Sequence, residues 1–360
     1  MLFWQGVLRD MPTGKFITIA GGGLAGLTLG IGLRQRGVSV TVWEAGSYPR
    51  HRVCGEFISG RGQDTLSRLG LGDAILRAGA IPAKTVAFSS ARASSRVCSL
   101  ARPALSISRY VLDELLAREF VRLGGELNDK ARHRGPESAE GVVRAGGRRP
   151  AATTGGTRWF GMKVHARKVE LSADLEMHLS RDSYLGISRL ANGEVNICGL
   201  FRRRAGARRT SELQEEWRLA LMGENGSTRH SRMANAEYDE DSFCSIGGLS
   251  LRARRAAQSP ECCVGDAITM IPPVTGNGMS MAFESAEMAI EPLTAYSRGE
   301  ISWREAQRTI AARCDRAFTR RLAWAGWLQK MMFAPGLQGA LVRFGPRWEW
   351  VWRMLLEKMR

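Results

Sequence analysis

Hydrophobic positions along this chain recur in two spacings, and the changes from one spacing to the other mark its elements. Residues 16–20 form a short apolar run rich in β-branched side chains and read as a buried strand. Residues 24–36 carry apolar positions at helical spacing, with Gly37 as a natural stop. Residues 38–43 form a second apolar run, closed by Glu44. Strand, turn, helix and strand within about 30 residues is the size of a parallel crossover unit. Residues 63–69 predict a short helix ending at Gly70, and 85–89 and 96–100 predict short strands. Residues 109–123 predict an amphipathic helix, with Leu112, Leu115, Leu116, Phe120 and Leu123 on one face.

From 129 to 157 the chain is rich in Arg, Gly and Pro and its periodicity is weak. Alternation returns at 162–165, 175–179, 184–187 and 194–200, which predicts an antiparallel sheet and hence a second lobe. Residues 210–222 read as a helix, 261–264 as a buried strand and 278–296 as a long helix. A helical tail runs from Trp303 to the end, with breaks near 335–336 and 345–346. No internal repeat is present.

Composition bounds this picture. The chain has 360 residues and is 44% hydrophobic, enough for a large core in two lobes. The charged fraction of 24% argues against compositional disorder. A net charge of +17 attracts anions such as nucleic acid, anionic lipid or acidic substrates, but no aromatic-interleaved basic motif appears, so no nucleic-acid partner is expected. Seven Cys, an odd number with no CxxC pair, argue against a disulfide framework or a structural zinc site. Reduced thiols, no bound metal and a cytoplasmic location are the expectations. The apolar stretch in the first eleven residues is short, so a signal peptide is not expected there, Met11 is an alternative start, and no apolar run of about 18 residues suggests a transmembrane helix.

Gly21-Gly22-Gly23-Leu24-Ala25-Gly26 fits GxGxxG, and its setting gives it weight: a strand before, a helix after, and Glu44 about 20 residues on. Gly21 permits the tight turn, Gly23 lets the backbone approach a diphosphate, and Gly26 lets helix and strand pack closely. The helix N-terminus at Leu24 and Ala25 offers free N–H groups to phosphate, and Glu44 can accept hydrogen bonds from a ribose. A second motif separates FAD from NAD. In Cys262-Cys263-Val264-Gly265-Asp266 a strand runs into a Gly-Asp turn, and 272–275 lead to Gly276-Asn277-Gly278-Met279 at the start of the long helix. Asp266 can bond a ribityl hydroxyl, and the helix start can face a flavin ring and stabilise negative charge there. The bland readings are a Gly-rich turn and an ordinary strand-to-helix connection.

These paired motifs resemble the para-hydroxybenzoate-hydroxylase-like flavoprotein superfamily, which includes aromatic hydroxylases and geranylgeranyl reductases. The resemblance runs from about Lys15 to about Tyr296. Residues 50–57, Arg-His-Arg-Val-Cys-Gly-Glu-Phe, resemble the segment beside the flavin, and 108–113 resemble the helix start whose Arg contacts the cofactor. The resemblance implies flavin contacts for Arg52, Gly55 and Arg109. Two departures stand out. Gly146 occupies the place of the Asp in the segment that serves FAD and NAD(P)H in hydroxylases, so NAD(P)H enters only as a candidate transient donor. The aromatic Tyr-x-Trp-x-Phe-Pro strand of the reductases is absent, with 182–187 in its place.

Cys54 is a candidate proton donor or flavin-facing thiol, against the reading of a small buried thiol. His165 and Tyr184, on second-lobe strands, are candidate acid–base groups, against structural roles. Six of the ten Trp lie after residue 302 among basic residues, so the tail reads as a peripheral membrane contact or as a helix packed on the fold or on a second copy. The expected fold is α/β. A discontinuous Rossmann-like FAD domain spans 12–83, 105–157 and 247–310, a substrate domain spans 84–104 and 158–246, and 311–360 form a helical tail. The expected activity is that of an FAD-dependent monooxygenase acting on an aromatic or polyketide-like small molecule. The alternatives are a geranylgeranyl-reductase-like enzyme reducing isoprenoid double bonds, and a flavin-binding protein without turnover.

Overall fold

The computed structural model describes residues 14–91, 93–148, 157–204, 217–273, 276–334, 338 and 342. Its strands are β1 (Ile17–Ala20), β2 (Val40–Trp43), β3 (Phe57–Ile58), β4 (Ile81–Ser90), β5 (Ala93–Ser94), β6 (Cys98–Ser106) and β7 (Glu126–Asn128). They continue with β8 (Val142–Arg144), β9 (Thr157–Arg167), β10 (Leu175–Leu179), β11 (Ser183–Arg189), β12 (Val195–Arg204), β13 (Glu237–Ile246) and β14 (Cys262–Cys263). The helices are α1 (Leu24–Arg34), α2 (Arg61–Arg68), α3 (Gly72–Arg77), α4 (Arg109–Arg122), α5 (Trp217–Met222), α6 (Thr228–Met233), α7 (Gly278–Ser297) and α8 (Trp303–Met332).

The strands form two sheets. The first has the order β14-β8-β1-β2-β7 and all its pairs are parallel. Helix α1 is buried at every position from Leu24 to Leu33, because the sheet, α4 and α7 all pack on it. Gly30 lets the Phe120 ring of α4 lie directly on α1, and Gly32 does the same for Ile290 of α7. A parallel sheet covered by helices explains why its strands read as continuous apolar runs.

The second sheet has the order β13-β9-β12-β11-β10-β4-β6-β3. It is mixed, not purely antiparallel as the alternation suggested, because β10 pairs with β4 in parallel. One face packs on a core containing Met162, Val164, Leu185, Ile187, Ile197 and Phe201. Alternation then puts Lys163, His165, Ser188, Asn196 and Cys198 on the opposite face.

Strand β8 lies inside the stretch 129–157, where periodicity is weak. Its three residues are all buried between β1 and β14, so it is too short to show a period although it sits near the middle of the sheet. Strand β13 is mostly exposed along its length, as a sheet-edge strand with charged side chains can be, and it leaves no apolar signature. Helix α6 also went unread. The helix expected at 210–222 appears as α5, with 205–216 outside the described residues. The expected tail breaks also lie outside them.

Helix α8 opens with a Ser302–Glu305 capping box and runs 30 residues along α7. The two helices are joined by a buried bidentate pair, Arg321 Nη1 and Nη2 to the Glu284 carboxylate at 2.8 and 2.9 Å. No helix among the described residues is long and apolar enough to cross a membrane. Arg321→Met leaves Glu284 buried without its partner, so the urea unfolding midpoint is expected to fall by the equivalent of about 3 kcal/mol. Adding Glu284→Gln to that variant removes the stranded charge and is expected to recover most of the loss, and an equal loss in both variants would contradict this account.

Candidate functional site

The first crossover turn joins β1 to α1. Gly21 has φ +123 and its α-carbon lies against the backbone of Ala145 and Gly146, so only glycine fits. A Cβ on Gly26 would fall on the Gly21 carbonyl oxygen, whereas one on Gly23 would meet nothing within 4 Å among the described residues. Gly23 therefore borders open space at the start of α1. Among the described residues no side chain caps that helix, and the N–H groups of its first turn have no intrahelical acceptor. Leu24 and Ala25 are buried behind this opening.

Glu44 lies at the end of β2, nearly buried. Its carboxylate accepts the Gly22 N–H at 3.0 Å and the Gly46 N–H at 2.9 Å. Arg50 Nη2 approaches it at 2.5 Å and Arg52 Nη2 at 3.3 Å. Burial opposes ionisation, but the Gly46 N–H and the two guanidinium groups hold the carboxyl below its ordinary value. Arg52 also reaches Asp113 at 3.0 Å, and Arg109 bonds Asp113 at 2.7 and 2.8 Å. A ladder of alternating charges thus runs from Glu44 to the start of α4. Tyr48, which donates its hydroxyl hydrogen to the Gly22 carbonyl, and Arg50 were not foreseen.

The second motif meets the first directly. Gly265, at φ +63, has its α-carbon against Ala25 Cβ, so the two turns adjoin although about 240 residues separate them. Gly265 N–H donates to Ser285 Oγ at 2.8 Å. Asp266 is open to solvent yet hemmed in by protein on most sides, as on the floor of a cleft. Desolvation raises its carboxyl above the usual range, while Arg109 and Arg148 pull it back. Gly276 has φ +63 and carries the Phe57 ring against its α-carbon. Asn277 accepts a hydrogen bond from Ser59 Oγ at 2.6 Å, and Gly278 and the buried Met279 open α7. Residues 274 and 275 lie outside the described set.

An uncapped helix N-terminus beside open space, a carboxylate at the second strand's end and an accessible carboxylate in the adjoining turn are the donor and acceptor set that FAD requires. The FAD binding domain family profile matches residues 16–158. Residues 16–158 are thus similar to an FAD binding domain. The fold as a whole is similar to that of several solved proteins. A geranylgeranyl bacteriochlorophyll reductase-like protein of Thermoplasma acidophilum superposes with a TM-score of 0.72 at 15% identity, over 91% of this chain and 90% of the other. The flavin-dependent brominase Bmp2 gives 0.69 at 17% identity, over 95% and 93%. P. aeruginosa PqsL, in complex with 2-aminobenzoylacetate, gives 0.66 at 16% identity, over 91% and 98%. No curated protein sequence matches the chain.

Strand β8 leads straight into Ala145 and Gly146, so the Asp-to-Gly departure sits after a strand, against the Gly21 turn. The segment 51–57 lies across the second sheet. Asn196 Nδ2 donates to the Cys54 carbonyl at 3.0 Å and Ser188 Oγ to the Gly55 carbonyl at 3.0 Å. Burial raises the Cys54 thiol, with Arg109 opposing, so the thiol stays protonated. His165 is buried, with Nε2 at 2.6 Å from Glu56. Lys163 is fully buried, with Nζ 3.4 Å from Glu56 and 2.9 Å from His51 Nδ1. Glu56, Lys163 and His51 were missed as functional candidates. The available signal was Lys163 and His165 alternating with apolar Met162, Val164 and Ala166, a strand with one polar face. Candidate metal-ligand atoms of His51, His165 and Asp239 lie within 4.8 Å of one another, but the Lys163 ammonium already provides a cation beside His51.

Tyr184 is placed apart from this cluster. It is buried with Leu179 and Leu200 against Leu328, Met332 and Phe333, and its hydroxyl has no hydrogen-bond partner among the described residues.

Gly23→Ala is expected to keep the fold and weaken FAD binding roughly tenfold or more, because the new methyl enters only the open space. Gly26→Ala is expected to lower thermal stability even without FAD. Flavin titration and thermal unfolding of both variants check the pair. Burial, then Lys163 and His165, depress His51 from 6.5 to about 4. The unfolded chain therefore binds this proton first. The stability due to His51 is present above pH 6.5 and lost as pH falls toward 4, and His51→Asn is expected to flatten that part of the stability–pH curve.

Proposed function

We propose that the protein is an FAD-dependent monooxygenase acting on a small aromatic or polyketide-like molecule. Reduced FAD supplies the electrons with which molecular oxygen is activated and one of its atoms transferred. The start of α1 would hold the diphosphate, Glu44 the ribose and Asp266 the ribityl chain, with the start of α7 toward the ring. Arg52, Gly55 and Arg109 would line the same cofactor. NAD(P)H remains the candidate electron donor.

The observation that carries the reading is the shape of the second sheet's open face. Ser188, under the Gly55 carbonyl, and Tyr184 lie on that face about 13 Å apart along β11. Between them stands Gly186, paired with Cys198, where among the described residues a Cβ would meet only the Cys198 carbonyl oxygen at 3.7 Å. The far end is closed by Leu328, Met332 and Phe333 of α8 and its C-terminus, with Trp159 and Tyr184 in ring contact with Phe333. A stretch of sheet this short, with small residues at its middle and aromatic rings at its end, suits one or two rings better than a long prenyl chain. The PqsL complex with 2-aminobenzoylacetate, a small aromatic, supports the same class. The wall of helix and sheet would exclude water from the reacting centre.

A second reading has one observation in its favour. The Cys54 thiol, held protonated beside Arg109, is suited to donating a proton during double-bond reduction. Peripheral membrane contact stays a proposal for α8, where Trp324 and the exposed Trp327 meet edge to face near Arg320 and Lys330.

Labelled oxygen separates the two activities. With reduced enzyme and a panel of phenols and aminobenzoyl compounds, one labelled atom is expected in the product. Saturation of a prenyl double bond without label would instead select the reductase. Gly186→Leu is expected to raise KM at least tenfold with FAD affinity unchanged, and an unaltered KM would place the substrate elsewhere.

A further inference from the structure

Glu56 has no solvent exposure, and its backbone is left-handed at φ +57. That conformation costs a non-glycine residue on the order of 1 kcal/mol. A buried carboxylate also needs paired partners to persist. Glu56 has them on both oxygens. Oε1 accepts the Arg109 backbone N–H at 3.0 Å and lies 3.4 Å from Lys163 Nζ, and Oε2 lies 2.6 Å from His165 Nε2. Lys163 already balances the carboxylate charge. The imidazole held to Oε2 at 2.6 Å makes carboxylate and ring one hydrogen-bonded pair, with the Lys163 ammonium on the other oxygen.

The pair lies between the flavin turn and the surface. Cys54, two residues before, lies beside Arg109 and under Asn196, and Phe57, the next residue, rests on Gly276 of the flavin turn. On the other side the cluster leads outward. Lys163 bonds His51, whose ring stacks on the exposed Tyr110 at 4.7 Å and lies near the exposed Asp239. The groups facing Glu56 are thus Lys163 and His165 from β9, Arg109 from α4, and His51 and Cys54 from its own segment. Cys198 of β12 and Cys244 and Asp239 of β13 complete the set. Burial raises all three thiols, and of the remaining groups the Glu56–His165 pair is the one bonded both to the start of α4, through the Arg109 N–H, and to Lys163, which bonds His51.

We propose that the Glu56–His165 pair is the proton acceptor of the flavin site and that Lys163 is the positioning residue that keeps Glu56 ionised for it. The proposal rests on the FAD reading but not on the choice of monooxygenase. The test is the midpoint potential of bound FAD measured against pH in the holoenzyme. Lys163→Met removes the cation while burial remains, so the Glu56 proton affinity rises at least tenfold. A break in the potential–pH curve then appears at least one unit above any in the wild type. Adding Glu56→Gln to that variant abolishes the break, and Lys163→Arg restores the wild-type curve. His165→Gln, which keeps Lys163, must shift the break in the same direction, and it decides the matter should Lys163→Met fail to fold. A Lys163→Met curve superimposed on the wild type, or a break that survives Glu56→Gln, overturns the proposal. A holoenzyme that gives no labelled product yet shows these breaks sinks the monooxygenase reading alone. A chain that takes up no FAD sinks both.

Discussion

Helix α1 sits on the turn that precedes it with no room for a side chain between them. A Cβ on Gly26 would occupy the place of the Gly21 carbonyl oxygen, and Gly21 itself is pressed against the backbone of Ala145 and Gly146. This contact sets the distance from the helix start to β1 and β8, and so fixes where the unpaired N–H groups point. Everything assigned to the cofactor depends on it, since Glu44, Gly265 and Asp266 are placed relative to that turn.

Around this backbone feature the charges are arranged in series. Glu44, Arg50, Arg52, Asp113 and Arg109 form an alternating ladder along one side of the cleft. The same Arg109 whose side chain ends the ladder donates its backbone N–H to Glu56, so the ladder and the buried Glu56–Lys163–His165 cluster share a residue. Alternation of sign lets this many charges be partly or wholly buried together, each with a partner within hydrogen-bond reach. The positions of Arg52 and Arg109 are thus tied both to cofactor recognition and to the second sheet's polar face.

The two lobes were legible to different degrees. The crossover unit, α4, β10 and α7 could be read because each buries a regular apolar pattern several residues long. Strand β8 could not, since three buried residues carry no period, although the sheet could not hold β1 and β14 in one layer without it. The edge strand β13 and the parallel β10–β4 pair were hidden for another reason. Edge exposure erases alternation, and strand direction is set by partners far away in the chain. Among site residues, the glycines, Glu44 and Asp266 were visible because the fingerprint prescribes their residue types at fixed offsets.

From the amino-acid order alone came the βαβ unit, the second Gly-Asp turn and hence the flavin class, since these depend on local backbone geometry that only particular residues at fixed spacing can adopt. The pairing of Ala25 with Gly265, the ladder through Asp113 and the burial of Lys163 against Glu56 and His51 came only with the tertiary structure. Each joins segments tens to hundreds of residues apart, and a side chain's charge, burial and partner are properties of the space it enters rather than of its neighbours in the chain. The separation of Tyr184 from His165 follows the same rule: both lie in one sheet, on β11 and β9 with β12 between them, and packing alone placed one among apolar rings and the other among charges.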